Sequence, residues 1–162
     1  MSFRTSLVSL GVLLLTGAAF RADPEPWTSE LTVSDSALDE LSVGRYWHAA
    51  RVLRSEGAAS GTPADVLTLA RAEAGWENWP AVRELLQDAS WLDRESDGTG
   101  HGLLGRSLEH AEEWAAAAAA YEQYLSLVSA NSTNAVAARV RLARVSWWAG
   151  DHGAASSVLR SE

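Results

Sequence analysis

Four similar segments, about 35 residues apart, constrain the fold of this chain more than any other feature. Each segment contains a ring residue, a small or branched residue three positions later, and a large apolar residue seven positions after the ring. The ring residues, called anchors below, are Tyr46, Trp79, Trp114 and His152. Their separations are 33, 35 and 38 residues, which is the period expected of stacked helix pairs.

A second helical pattern precedes the anchors of units two to four. A leucine stands ten positions before the anchor, and a small residue follows it, in Leu69-Ala70, Leu104-Gly105 and Leu142-Ala143. A small residue at that point lets two helices of a hairpin approach closely. Alternating β-branched runs and two-residue hairpin turns are missing from the sequence, so we expect helices and no sheet.

This arrangement resembles the tetratricopeptide repeat (TPR) family, whose unit of about 34 residues forms a helix, a turn and a helix. The best match runs from Leu104-Gly105 through Ala117 to Tyr121. The resemblance covers residues 34–162 and implies an all-α, right-handed solenoid of about four repeats. The chain departs from the family in lacking the closing proline of each unit, and Ser36-Ala37 replaces the Leu-Gly pair of the first. The alternative is an unrelated helical bundle.

Two polar stretches are predicted loops between the helical units. Residues 57–63 contain two glycines and end in Thr62-Pro63, which predicts a helix capped by Thr62 with Pro63 at its first position. Residues 129–134 are polar and account for the longest of the three periods.

The N-terminus has the features of an export signal. Arg4 precedes an apolar stretch, and the small residues 17–19 follow it, so residues 1–19 are predicted to be a signal peptide. The apolar stretch at 7–20 is shorter than the roughly 20 residues of a membrane span. Residues 20–33 contain two nearby prolines and are predicted to be a linker. We therefore expect a periplasmic protein without a stable membrane span, or an N-terminally anchored one if the signal is not cleaved.

Composition excludes several functions. The chain has 13 basic residues, all arginine, against 21 acidic ones, and its formal charge of −8 argues against a nucleic-acid partner. The absence of cysteine excludes disulfides, thiolate metal sites and a cysteine nucleophile. No zinc, phosphate-loop or serine-hydrolase motif occurs, and His110 with Glu113 fits a solvated helix face. The sequence thus predicts no catalytic residue, no metal and no cofactor.

One set of residues is a candidate binding site. An arginine stands eight positions before the anchor in units two to four, at Arg71, Arg106 and Arg144. The TPR resemblance implies that this position faces the concave groove, where a row of guanidiniums would bind carboxylates. The alternative is that these arginines are solvated or paired with acids of neighbouring repeats. Of the adjacent pair Trp147 and Trp148, one must be partly exposed, and we assign Trp147 to the groove.

The expected function is a non-catalytic scaffold that binds a protein or peptide, with an acidic peptide or an acidic peptidoglycan stem as fitting ligands. Several segments, among them 71–79 and 103–109, also resemble the helical N-terminal region of soluble lytic murein transglycosylases. That resemblance implies the non-catalytic part of a peptidoglycan-cleaving enzyme. Because Val158 and Leu159 lack a polar cap, we expect the repeats to continue beyond residue 162 or to dimerise there.

Overall fold

A computed structural model of the chain describes residues 33–94 and 97–160. Within these two stretches the chain is helical with turns and loops and has no β-strand, which confirms the predicted all-α class. The predicted signal peptide and nearly all of the predicted linker lie outside the described residues. None of the helices in the described part of the chain is both long and apolar enough to cross a membrane.

The described residues form four helix pairs. Each α-helix packs against the next along the chain, and α3 also contacts α5. Short 3-10 turns at Ala58–Ser60 and Leu92–Arg94 precede the second and third pairs. The helices are α1 (Asp35–Ser42), α2 (Tyr46–Ser55), α3 (Pro63–Gly75), α4 (Trp79–Leu86), α5 (Thr99–His110), α6 (Trp114–Leu127), α7 (Thr133–Trp148) and α8 (His152–Arg160).

The anchors mark the first residues of the second helices, because α2, α4, α6 and α8 each begin at one of them. The position three residues later is buried in every pair. The position seven residues later is buried in the first three pairs, whereas Leu159 of the last pair is 60% exposed. The sequence period therefore corresponds to real helix pairs, and the last pair has an uncovered apolar residue.

The same three-residue turn joins the helices of every pair. Its middle residue is left-handed, with φ between 59° and 87°, at Gly44, Glu77, Glu112 and Gly150. The following residue donates its N–H to a carbonyl five positions back, as Glu113 does to Leu108 at 2.9 Å. This is the Schellman arrangement that ends helices. A left-handed residue other than glycine costs about 1 kcal/mol of conformational free energy. The backbone hydrogen bonds of the turn compensate this cost at the two glutamates.

Helix starts agree with the predicted caps, with one correction. Thr62 caps α3 with Pro63 at the first position, and the Asp65 carboxylate accepts the Thr62 N–H at 2.9 Å. The predicted loop at 129–134 is wrong at its end, because α7 already begins at Thr133. Ser132 caps α7 by accepting the N–H of Ala135 at 3.1 Å, so the helix starts two residues earlier than expected.

The small residues nine positions before the anchors are all buried, at Ala37, Ala70, Gly105 and Ala143. Gly105 shows why size matters there, since a Cβ atom on it would lie 2.9 Å from Cε1 of Tyr121. That distance is below van der Waals contact, so glycine lets α5 lie directly against α6. The expected close approach within this pair is confirmed.

One carboxylate is fully buried beside the second turn. Glu73 of α3 has no exposed surface. Its two oxygens accept hydrogen bonds from Arg54 Nε at 2.6 Å and from Asn78 Nδ2 at 2.7 Å. These bonds connect α2, α3 and the turn before α4, and they compensate the loss of water around the carboxylate.

Candidate anion-binding groove

A groove, called the anion groove below, lies between α5 and α7 beside α6. It consists of two adjoining hollows of about 360 and 620 Å³ that share Arg106 and Arg141. The residues that α7 contributes recur every three or four positions, which places them on one face of the helix. They are Asn134, Ala137, Ala138, Arg141, Arg144 and Trp148.

Glu109 of α5 is the carboxylate that joins the three helices. Its side chain is only 9% exposed. It accepts hydrogen bonds from Tyr121 Oη at 2.8 Å and from Arg141 Nη1 at 3.0 Å, and it forms an ion pair with Arg144. Bonds between charged groups are stronger than neutral ones, so Glu109 fixes the orientation of both α7 arginines.

Tyr121 lies against the same cluster. Its ring is buried under Gly105, and burial raises the pKa of its hydroxyl, while the positive charges of Arg141 and Arg106 act in the opposite direction. The hydroxyl is therefore protonated at neutral pH and serves as the donor to Glu109.

Arg106 of α5 is held in place without a carboxylate. Its guanidinium carbon lies 4.4 Å from the centre of the Trp79 ring, and His110, one turn later, stacks on the same ring at 4.7 Å. No residue in the described part of the chain forms an ion pair or hydrogen bond with Arg106, and its Nε is buried without a partner. Partial burial, followed by the nearby charge of Arg141, lowers the pKa of Arg106. The guanidinium still remains charged at neutral pH.

The charges of this cluster do not balance. Arg106, Arg141 and Arg144 against Glu109 and Glu112 sum to 3 − 2 = +1, in a chain whose overall charge is −8. Glu112 lies at the exposed rim of the larger hollow. Excess positive charge along a groove attracts anions more strongly than the same charge on a convex surface.

The structure brings together two of the four predicted site residues. Arg106 and Arg144 both line the larger hollow. Arg71 lies outside both hollows and is exposed, with its Nη2 3.3 Å from Thr99 Oγ1 and 3.7 Å from an Asp97 carboxylate oxygen. Arg71 and Arg144 thus each pair with an acid of a neighbouring unit, which was the alternative to a row of arginines free to bind a ligand.

At the end of α7, the tryptophan that lines the groove is not the one that the sequence analysis assigned to it. Trp147 and Trp148 are both exposed. Trp148 lines the larger hollow, whereas the Trp147 ring centre lies 4.1 Å from that of His152. The groove therefore receives the second tryptophan of the pair.

Sequence reasoning missed Arg141, Glu109 and Trp148. It compared one position per unit, so it did not follow the face of a single helix. Arg141 stands three residues before Arg144 and seven before Trp148, a spacing that places all three on one face of α7. That spacing was the available signal. Glu109 carried no comparable signal, because its partners lie 32 and 35 residues away.

No group of three or more histidines, aspartates or glutamates in the described ranges is arranged to hold a metal ion. Comparison with known proteins found no matching family model, no matching curated protein and no matching solved structure. A functional proposal for this chain therefore rests on the residues of the anion groove.

Proposed function

We propose that this protein is a non-catalytic scaffold of TPR type that binds an anionic protein or peptide in the anion groove. The four helix pairs would form a right-handed solenoid, with α5 and α7 on its concave side. The observation that carries the proposal is Arg106, a guanidinium that stacks on Trp79 beside Arg141, lies within the field of Glu77 and has a buried Nε without a hydrogen-bond partner.

An anionic side chain would enter the larger hollow, which Arg106, Arg141 and Arg144 line together. Arg106 is already oriented by its ring contact, and Arg141 is oriented by Glu109. Little side-chain freedom is lost on binding, because both guanidiniums are preorganised. A hydrogen bond to a charged group contributes about 1.5–3 kcal/mol, which is enough for selective binding of a carboxylate.

The proposal places the protein outside the cytoplasm because of the signal-like residues 1–19. A second candidate is that these helices serve a peptidoglycan-cleaving enzyme. The same groove would then hold the acidic stem peptide of a peptidoglycan strand, next to Trp114 and Trp148. Aromatic rings beside an anion site favour that ligand over a simple inorganic anion.

The test is a binding titration with a fluorescein-labelled peptide that carries three consecutive glutamates. The same peptide with glutamines controls for charge. We expect Arg106→Ala to weaken binding of the acidic peptide about tenfold, since one charge-assisted contact is lost. Arg144→Ala should weaken it less, because Arg144 is already paired with Glu109.

Arg51→Ala is the matched control. Arg51 is an exposed arginine on α2, with its guanidinium carbon 5.7 Å from the centre of the Trp47 ring. Its removal changes the net charge of the protein by the same amount and should leave the affinity unchanged. The proposal fails if neither peptide binds, or if Arg51→Ala weakens binding as much as Arg106→Ala does.

A further inference from the structure

The larger hollow of the anion groove combines its guanidiniums with two aromatic rings. Trp114 at the start of α6 and Trp148 at the end of α7 both line it, with ring centres 6.2 Å apart and planes tilted by 33°. Trp148 is 63% exposed. A ligand can therefore bury aromatic surface there that the fold itself leaves in water.

The spacing between charge and ring is set by α7. Arg144 and Trp148 are four residues apart on one face of the helix, which separates them by about 6 Å along its axis. In an extended peptide, side chains two positions apart point to the same side and are about 6.6 Å apart. A peptide strand lying along α7 can therefore place one side chain at Arg144 and the next on the same side at Trp148.

The polar groups of the wall favour a carboxylate over a sugar. Guanidiniums only donate hydrogen bonds, and sugar hydroxyls need acceptors as well as donors. Glu109 already accepts from Tyr121, Arg141 and Arg144, which leaves the exposed Glu112 as the acceptor carboxylate of the hollow against three guanidiniums. A ligand that pairs a carboxylate with an apolar ring matches this wall best.

We propose that the anion groove recognises an extended peptide in which an acidic residue and an aromatic residue stand two positions apart. The carboxylate binds at the arginines, and the aromatic side chain packs against Trp148 and Trp114. This inference rests on the proposed binding of an anionic peptide and goes further by naming the motif and its spacing.

The test uses three fluorescein-labelled peptides of equal length and charge that differ only in a central Glu-Ser-Trp, Glu-Trp-Ser or Glu-Ser-Ser. Fluorescence anisotropy gives their dissociation constants. Glu-Ser-Trp should bind about three- to tenfold more tightly than Glu-Ser-Ser, the gain expected of one aromatic pair. Glu-Trp-Ser should bind like Glu-Ser-Ser, because adjacent side chains of a strand point to opposite sides.

Trp148→Ala should abolish the advantage of Glu-Ser-Trp and leave the affinity for Glu-Ser-Ser unchanged. Trp147→Ala is the matched control, since it removes a neighbouring exposed tryptophan that does not line the hollow. Both positions are exposed, so both variants should fold, and circular dichroism melting verifies this.

Each other outcome has a distinct meaning. Equal affinities for Glu-Ser-Trp and Glu-Ser-Ser overturn the motif and leave the proposed anionic-peptide function standing. No binding of any peptide overturns the function and the motif together. A soluble muropeptide that displaces the labelled peptide more effectively than unlabelled Glu-Ser-Trp does would overturn the peptide motif and assign the groove to peptidoglycan.

Discussion

The second and the third helix pair each contain a glutamate that is largely removed from solvent, and the two glutamates differ in their charged partners. Glu73 is fully buried and bonded to one arginine and one asparagine. Glu109 has a side chain that is 9% exposed and is bonded to two arginines and a tyrosine. The first carboxylate thus faces one positive charge, whereas the second faces two, with the unpaired Arg106 nearby.

The two carboxylates differ in how far their charge is balanced by the groups around them. Around Glu73 each oxygen has a donor and the charges of acid and arginine cancel, so the cluster has no attraction left for a ligand. Around Glu109 the two positive charges of the α7 arginines exceed the single negative charge of the carboxylate. Excess charge, rather than burial, is what supports the proposal that this groove binds an anion.

The largest expected effect is the loss of stability in Glu73→Gln. The new amide group would point a donor at Arg54 or Asn78, and one buried polar group would remain unsatisfied. We expect the free energy of unfolding to fall by about 2 kcal/mol, as measured by urea denaturation. Glu84→Gln, at an exposed position of α4, is the control and should change it little. An unaffected Glu73→Gln would mean that the carboxylate is not structural.

A smaller loss of stability is expected of Gly105→Ala in the third pair. The added methyl group would meet the buried Tyr121 ring, whose hydroxyl is held by Glu109. We expect a loss of about 1 kcal/mol, because overpacking outweighs the better helix propensity of alanine. Gly153→Ala on α8 is the control, since its Cβ would lie 3.5 Å from the nearest atom. It should be neutral or stabilising in the same denaturation experiment.

The smallest effect is expected when the charge of Glu109 itself is removed. Glu109→Gln removes the negative charge and replaces one of the two acceptor oxygens with a donor, so the charge of the groove cluster rises from +1 to +2. We expect the affinity for the triple-glutamate peptide to increase about threefold, a modest gain because the arginines are partly solvated. In Glu73→Gln, under conditions where it is folded, that affinity should not change. A weaker affinity in Glu109→Gln would show that its charge is needed to hold the arginines.

The repeating parts of the fold were predictable because they depend on local spacing. The anchor positions give the first residues of α2, α4, α6 and α8, and the small residues before them give the close packing. Thr62-Pro63 predicted the start of α3 for the same reason, since a capping box involves residues three apart. The end of the loop before α7 was not predicted, because several neighbouring polar residues are as suitable to cap a helix as Ser132 is.

The candidate site was only partly predictable because its bonds cross between helix pairs. The row of arginines identified Arg106 and Arg144, and the packing of both α5 and α7 on α6 decides that Arg144 pairs with Glu109 while Arg71 lies outside the hollows. Which of two adjacent tryptophans faces the groove depends on the rotation of α7, since neighbours on a helix point about 100° apart. No local pattern specifies that rotation.

Helical spacing along the chain therefore predicted about four helix pairs, the second helix in which each anchor lies and the small residues packed between the helices. Only the tertiary structure decided which charges meet. Glu109 pairs with Arg141 and Arg144, which lie more than 30 residues later, and Arg106 stacks on the Trp79 ring of the preceding pair. The physical reason is that side-chain contacts between separate helices depend on how those helices stack, which no spacing within one helix records.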